Sequence, residues 1–224
     1  MQWSPELALE NCETLMLDMD GTLLDLAYDN YMWLEHIPQE YARRNEMTFD
    51  AACTELYAHF TRMQGTLEWY CIDHWSEILD LDILDLHRQQ NQKIGYLSGA
   101  REFLQTVADY GIRMLLVTHS HQGTLDIKSE VTGVDQFFDH LYTAHDLGYA
   151  KEHQSFWHSL QAAESFDPDK TLFVDDTVSV LQSAKTYGIK SLVAVTCPDS
   201  RRPAKKVEEF VGVERLADLI QPVT

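Results

Sequence analysis

Four short apolar runs set the terms for this chain: Thr14-Leu15-Met16-Leu17, Met114-Leu115-Leu116-Val117, Thr171-Leu172-Phe173-Val174 and Ser191-Leu192-Val193-Ala194-Val195. Each is bounded by polar or turn residues, and none alternates apolar and polar side chains. Runs of this kind suit strands covered on both faces, the environment of a parallel sheet. Between them the periodicity turns helical. Phe103, Leu104, Val107 and Tyr110 recur at three- and four-residue spacing before Gly111, and Leu181, Ala184 and Tyr187 do so before Gly188. Glycine just past such a stretch is the usual end of a helix. The alternation predicts an α/β fold with right-handed crossovers.

One interval breaks this rhythm. Asp18 and Thr118 lie 100 residues apart, whereas a parallel crossover needs only a dozen or so. The helix near 101–110 can serve as the crossover. That leaves residues 26–92 as a helical insertion, with 1–25 and 93–224 forming the core. Ile72, Trp75, Leu79, Ile83 and Leu86 recur every three to four positions, although Leu-Asp-Leu-Asp-Ile after position 78 also fits a strand or loop. The aromatic residues Tyr31, Trp33, Trp69, Tyr70 and Trp75 read first as the core of that insertion. A length of 224 residues accommodates one domain with an inserted module.

Charge narrows the choice of partners. Lys and Arg number 17 against 36 Asp and Glu, a net charge of −19. Such a chain repels polyanions, so neither nucleic acid nor an anionic membrane surface is an expected partner. No apolar stretch reaches the length of a membrane-spanning helix. Met1-Gln2-Trp3-Ser4-Pro5-Glu6 lacks the basic start and apolar stretch of a secretory signal. Cys12, Cys53, Cys71 and Cys197 are too scattered for a disulfide framework or zinc knuckle, so a reduced cytoplasmic protein is expected. The one basic cluster, Arg201, Arg202, Lys205 and Lys206, reads as a solvated helix end near the C-terminus.

The chemistry gathers where apolar runs end. Leu15-Met16-Leu17-Asp18-Met19-Asp20-Gly21-Thr22 carries a strand straight into two carboxylates spaced by two and a glycine able to turn sharply. In open parallel sheets, ligands bind beyond the carboxyl ends of the strands. One carboxylate there can act as nucleophile and another can handle protons. Asp175 has a competing use, as an N-cap of the helix that follows it. His119 and His121 invite a metal reading, but zinc needs further ligands at suitable spacing.

The Asp18-x-Asp20-Gly21-Thr22 string resembles the first signature of the haloacid dehalogenase superfamily, whose members are mostly magnesium-dependent phosphatases. Thr118, Lys151 and the pair Asp175-Asp176 follow in the order of its later signatures. Asp20 through Tyr31, Trp69-Tyr70-Cys71, Trp75-Ser76-Glu77 and Pro198-Asp199-Ser200 are further similar to the bacterial GMP/IMP 5′-nucleotidase group within it. His119 departs from that pattern, which usually has Asn after the threonine, and Ala150 stands where Pro is expected.

The resemblance implies a Rossmann-like sheet with an inserted helical cap, and hydrolysis of a small phosphate monoester, a purine nucleoside monophosphate such as GMP or IMP. It implies Mg2+ held by Asp18, Asp176, Asp175 and Asp20, the last through its backbone carbonyl. Asp18 would be the nucleophile that forms an aspartyl-phosphate and Asp20 the acid and base. Thr118 and Lys151 would bind the phosphoryl oxygens. Trp33 and Trp69 are candidate substrate contacts from the cap. A phosphosugar phosphatase or mutase, or a catalytically silent binding module, would share much of this pattern.

Overall fold

A computed structural model describes Leu9 and residues 12–220; the opening segment Met1–Glu6 lies outside them. Six strands form one sheet: β1 (Thr14–Leu17), β2 (Arg113–Thr118), β3 (His140–Thr143), β4 (Thr171–Asp175), β5 (Ser191–Val195) and β6 (Val211–Val213). Their order is β3-β2-β1-β4-β5-β6 and every pairing is parallel. The chain leaves β1 for β2 and β3 on one side, then returns to β4 on the other. That reversal opens a crevice at the carboxyl ends of β1 and β4.

The four apolar runs are all strands, as their composition predicts. β3 and β6 are additional. His-Leu-Tyr-Thr and Val-Gly-Val are short, lie at the two edges and are only partly covered, so they lack the continuous apolar run that marks an interior strand. The alternating geometry of β1 divides the core. Leu15 and Leu17 join one apolar cluster while Met16, between them, joins a second on the opposite face with Phe156, Trp157 and Phe173.

Among the described residues, ten α-helices accompany the sheet. Five lie between β1 and residue 92: α1 (Ala27–Tyr31), α2 (Ile37–Arg44), α3 (Phe49–Met63), α4 (Ile72–Leu79) and α5 (Ile83–Gln89). A π-helical stretch, Met32–His36, joins the first two. The ambiguous Leu-Asp-Leu-Asp-Ile sequence is a turn. Asp80 ends α4 in a left-handed conformation, and the Asp82 carboxylate accepts from Asp85 N–H at 2.9 Å to cap α5. The remaining helices are α6 (Ala100–Asp109), α7 (Gln122–Thr132), α8 (Ala144–Leu147), α9 (Gln154–Ala163) and α10 (Val178–Tyr187). The basic cluster at 201–206 is not a helix end. It lies in the irregular connection between β5 and β6, held down by its own polar contacts.

The helices before β2 share the apolar cluster of Leu15 and Leu17, to which they add Phe60, Trp75 and Leu79. Trp75 is 1% exposed and donates its indole N–H to Trp69 O at 2.8 Å. Among the described residues, no helix is long and apolar enough to cross a membrane.

A buried histidine braces α5 against α1. His87 is 1% exposed, and its Nδ1 lies 2.8 Å from the Tyr28 hydroxyl, which also donates to the His87 carbonyl at 3.2 Å. With the proton on Nδ1, the ring donates to the hydroxyl and only an unprotonated Nε2 goes unpartnered. Burial, with Lys128 adding to it, pushes the His87 pKa down to about 3. The unfolded chain therefore binds a proton that the native state refuses between about pH 6.5 and 3. His87 supports the fold fully above that window and progressively less as pH falls through it. The stability of wild type relative to His87→Gln, measured by urea unfolding, should fall by roughly 1.4 kcal/mol per pH unit across the window. A difference independent of pH would contradict a neutral native imidazole.

Candidate active site

Strand register brings the acids together. Leu17 pairs with Val174, so Asp18 and Asp175 stand side by side one step further along neighbouring strands, and Asp18 N–H donates to Val174 O at 3.0 Å. On the other side of β1, Leu17 pairs with Leu116, which puts Thr118 at the same end of the sheet. Gly21 then turns the chain away with φ 86°, a conformation strained for other residues. A Cβ on Gly21 would also stand 2.9 Å from the Asp176 carboxyl carbon and 3.0 Å from Pro198 Cβ.

Lys151 is the centre of the arrangement. Its ammonium, 1% exposed, donates to Asp18 Oδ1 at 2.6 Å, Asp175 Oδ2 at 2.8 Å and Val117 O at 3.1 Å. All three N–H donors of the side chain are thus used. Burial disfavours its charge, but Asp175 and Asp18 outweigh burial and hold its pKa above the ordinary lysine value. Asp175 Oδ1 accepts from Thr177 N–H at 2.8 Å, so this residue both supports the start of α10 and faces the lysine. Thr118 Oγ1 accepts from Ser120 N–H at 3.0 Å, which leaves the hydroxyl proton available to a ligand.

Asp18, Asp175 and Asp176 each present a carboxylate oxygen, and the three oxygens lie within 4.8 Å of one another. Burial, reinforced by neighbouring carboxylates, raises the pKa of Asp18 well above the carboxylate range and raises that of Asp176. That crowding of negative charge is what a divalent cation relieves. Three hard oxygen donors without sulfur or imidazole fit Mg2+. The Lys205 ammonium also reaches Asp176 Oδ2, at 3.2 Å.

The Asp20 carboxylate stands apart from this trio. It faces Lys128 of α7 at 2.7 Å, and Asp29 of α1 contacts the same ammonium at 2.8 Å. Burial and the neighbouring Asp29 push the Asp20 pKa up to about 6, against the pull of Lys128. His119, where the family pattern has Asn, accepts from Lys151 N–H through Nε2 at 2.9 Å. Burial and Lys151 lower its pKa, in keeping with an unprotonated Nε2, so Glu152 at 3.1 Å is a neighbour of that nitrogen and not its hydrogen-bond partner. His121 turns elsewhere, to Asp73 at 3.6 Å and to the His145 ring. The two histidines share no site.

Trp33 and Trp69 pack edge-on against Phe60 and Trp75, within the aromatic core of the insertion. The aromatic ring of the insertion that meets the loops at the strand ends is Tyr70, stacked on His119 with centroids 3.9 Å apart and planes within 3°. Sequence inspection missed Tyr70 in this role, along with Lys128, Asp29 and Lys205. Lys128 left one trace: it lies three residues after Leu125 and four after Thr124, on the buried face of α7. A lysine there is an anomaly that a carboxylate partner must explain.

The fold and this constellation define a haloacid dehalogenase-like hydrolase, and the family matches residues 15–194 of the chain. The chain belongs to that family and is a phosphatase. The GMP/IMP nucleotidase YrfG of Escherichia coli is 37% identical over 214 residues, 96% of each chain. The pyrophosphatase PpaX of Anoxybacillus flavithermus is 24% identical over 94% of this chain and 96% of its own. Among solved structures, a phosphatase of the family from Thermococcus onnurineus superimposes with a TM-score of 0.78 at 18% identity, covering 92% of this chain and 95% of its own.

Gly21 offers a direct check of the site's packing. Gly21→Ala forces a side chain into a positive-φ turn and against Asp176, at a cost of about 1–3 kcal/mol. Urea unfolding should show that loss, and the displaced carboxylate should lower phosphate release in parallel. A variant as stable and active as wild type would rule out the close approach.

Proposed function

We propose that this protein is a magnesium-dependent phosphomonoesterase that hydrolyses purine nucleoside 5′-monophosphates. The observation that carries the reading is the buried Lys151 holding Asp18 at 2.6 Å beside two further carboxylates at the strand ends. A nucleophile for phosphorus must be fixed in place and must face an anion. Lys151 meets both needs: it orients Asp18 and supplies positive charge for the phosphoryl oxygens.

Asp18, Asp175, Asp176 and the Asp20 carbonyl would hold Mg2+. Bound there, the ion would draw charge from the phosphate and ease the approach of an anionic nucleophile. An Asp18 oxygen attacks phosphorus, the ester oxygen departs, and an aspartyl-phosphate forms. Asp20 gives the departing oxygen its proton, then takes one from the water that cleaves the acyl-phosphate. Thr118 donates its hydroxyl proton to a phosphoryl oxygen, and Lys151, its three donors held by Asp18, Asp175 and Val117 O, acts on the phosphoryl group through its charge.

Residues 26–92 act as a cap in this reading. Tyr70 stacked on His119, the Tyr70 hydroxyl 3.3 Å from Glu152 and Asp73 beside His121 support its closing over the crevice. The portion of a substrate outside the phosphate site meets the cap. The match to a GMP/IMP nucleotidase, 37% identical overall, spans that segment as well as the core, which supports a purine nucleotide. A flat ring such as Tyr70 offers a stacking surface worth about 1–3 kcal/mol per base.

A phosphate-release panel of nucleoside monophosphates and sugar phosphates tests the reading. GMP and IMP should give the highest kcat/KM, and chelation of divalent ions should remove activity. Hexose phosphates performing as well would defeat the substrate assignment. Asp18→Asn should lose turnover by at least about 10⁴-fold, since an amide cannot form the acyl-phosphate, with an unchanged circular dichroism spectrum. Turnover near the wild-type rate would place the nucleophile elsewhere.

A further inference from the structure

We propose that Lys128 is the positioning residue for the acid-base group Asp20, with Asp29 as the counter-ion that lets Asp20 move. The inference rests on the phosphatase reading above and concerns a lysine outside the residues that bind phosphate.

Lys128 is 2% exposed and belongs to α7, a helix of the sheet-bearing core. Two carboxylates from different parts of the chain meet its ammonium: Asp20 from the loop after β1, and Asp29 from α1, the first helix of the insertion. One carboxylate suffices to neutralise a buried ammonium, so a purely structural pair has no need of the second. Asp29 Oδ1 accepts a directed hydrogen bond at 2.8 Å. Asp20 Oδ1 lies 2.7 Å from the same ammonium.

An acid-base side chain must be aimed, yet free to reach first the leaving oxygen and then the water. The contact with Lys128 aims Asp20. Removing a partner from a buried ion pair is ordinarily costly, because a charge is stranded. Asp29 prevents that, since its hydrogen bond keeps Lys128 neutralised when Asp20 moves. Asp29 also ties this device to the insertion, because a shift of α1 alters the counter-ion of Lys128.

The test compares kcat/KM for a nucleoside monophosphate, whose alkoxide needs a proton to leave, with that for p-nitrophenyl phosphate, whose phenolate leaves unaided. This ratio excludes the later hydrolysis of the aspartyl-phosphate. Asp20→Asn sets the reference and should lose far more on the nucleotide. Lys128→Met, which cannot aim Asp20, should lose about 10–100-fold on the nucleotide, part of what an acid contributes. That loss should be at least tenfold greater than on the aryl ester. Asp29→Asn leaves Asp20 as the sole counter-ion and should show the same selectivity at smaller amplitude. If Lys128→Met fails to fold by circular dichroism, the Asp29→Asn ratio decides alone. Equal losses on both esters, with Asp20→Asn still selective, would overturn the role of Lys128 and leave the phosphatase reading intact. Wild-type protein that releases phosphate from neither ester would overturn both.

Discussion

The ammonium of Lys151, buried between Asp18 and Asp175, is the contact on which the molecule turns. It joins the ends of three adjacent strands, since its third donor goes to Val117 O on β2. A slip of β1 against β4 would separate the two aspartates and strand a buried cation. Breaking such a pair from one side costs about 3–5 kcal/mol, so these buried charges themselves penalise a wrong register. The apolar side chains of β1, β2 and β4 favour the same alignment, because a one-residue shift would exchange the faces of Leu15, Met16 and Leu17. Fold and site are one arrangement seen from two sides.

A second set of polar contacts attaches the inserted helices. Asp29 meets Lys128, Asn30 donates to the buried Asp199 at 2.7 Å, and Asp25 accepts from Ser200 N–H at 3.1 Å. These contacts tie Asp25–Asn30 to α7 and to the loop after β5. Beyond them the insertion shares an apolar cluster with one face of the sheet. Its aromatic side chains, Phe60, Trp69 and Trp75, are spent largely on one another. Tyr70 is left to face the loops at the strand ends, where it meets His119. The histidine that departs from the family pattern thereby has two uses: a platform for that ring and an acceptor for the Lys151 N–H.

What the sequence by itself determined is whatever depends on neighbours along the chain. Apolar runs marked the interior strands because a fully covered strand must be apolar throughout. Asp18, Gly21, Thr118, Lys151 and the Asp175-Asp176 pair were visible because each directly follows such a run or belongs to an ordered set of short motifs. The tertiary structure alone decided which distant groups share a charge. Lys128 lies 99 residues from Asp29, and nothing local tells a lysine that snorkels to water from one buried on two carboxylates. Nor could periodicity distinguish Trp33 and Trp69, drawn into their own core, from Tyr70, one residue further along and turned to the site. The reason is physical: periodicity records which face of an element is buried, whereas electrostatic partnership and ring stacking depend on where a second element happens to lie.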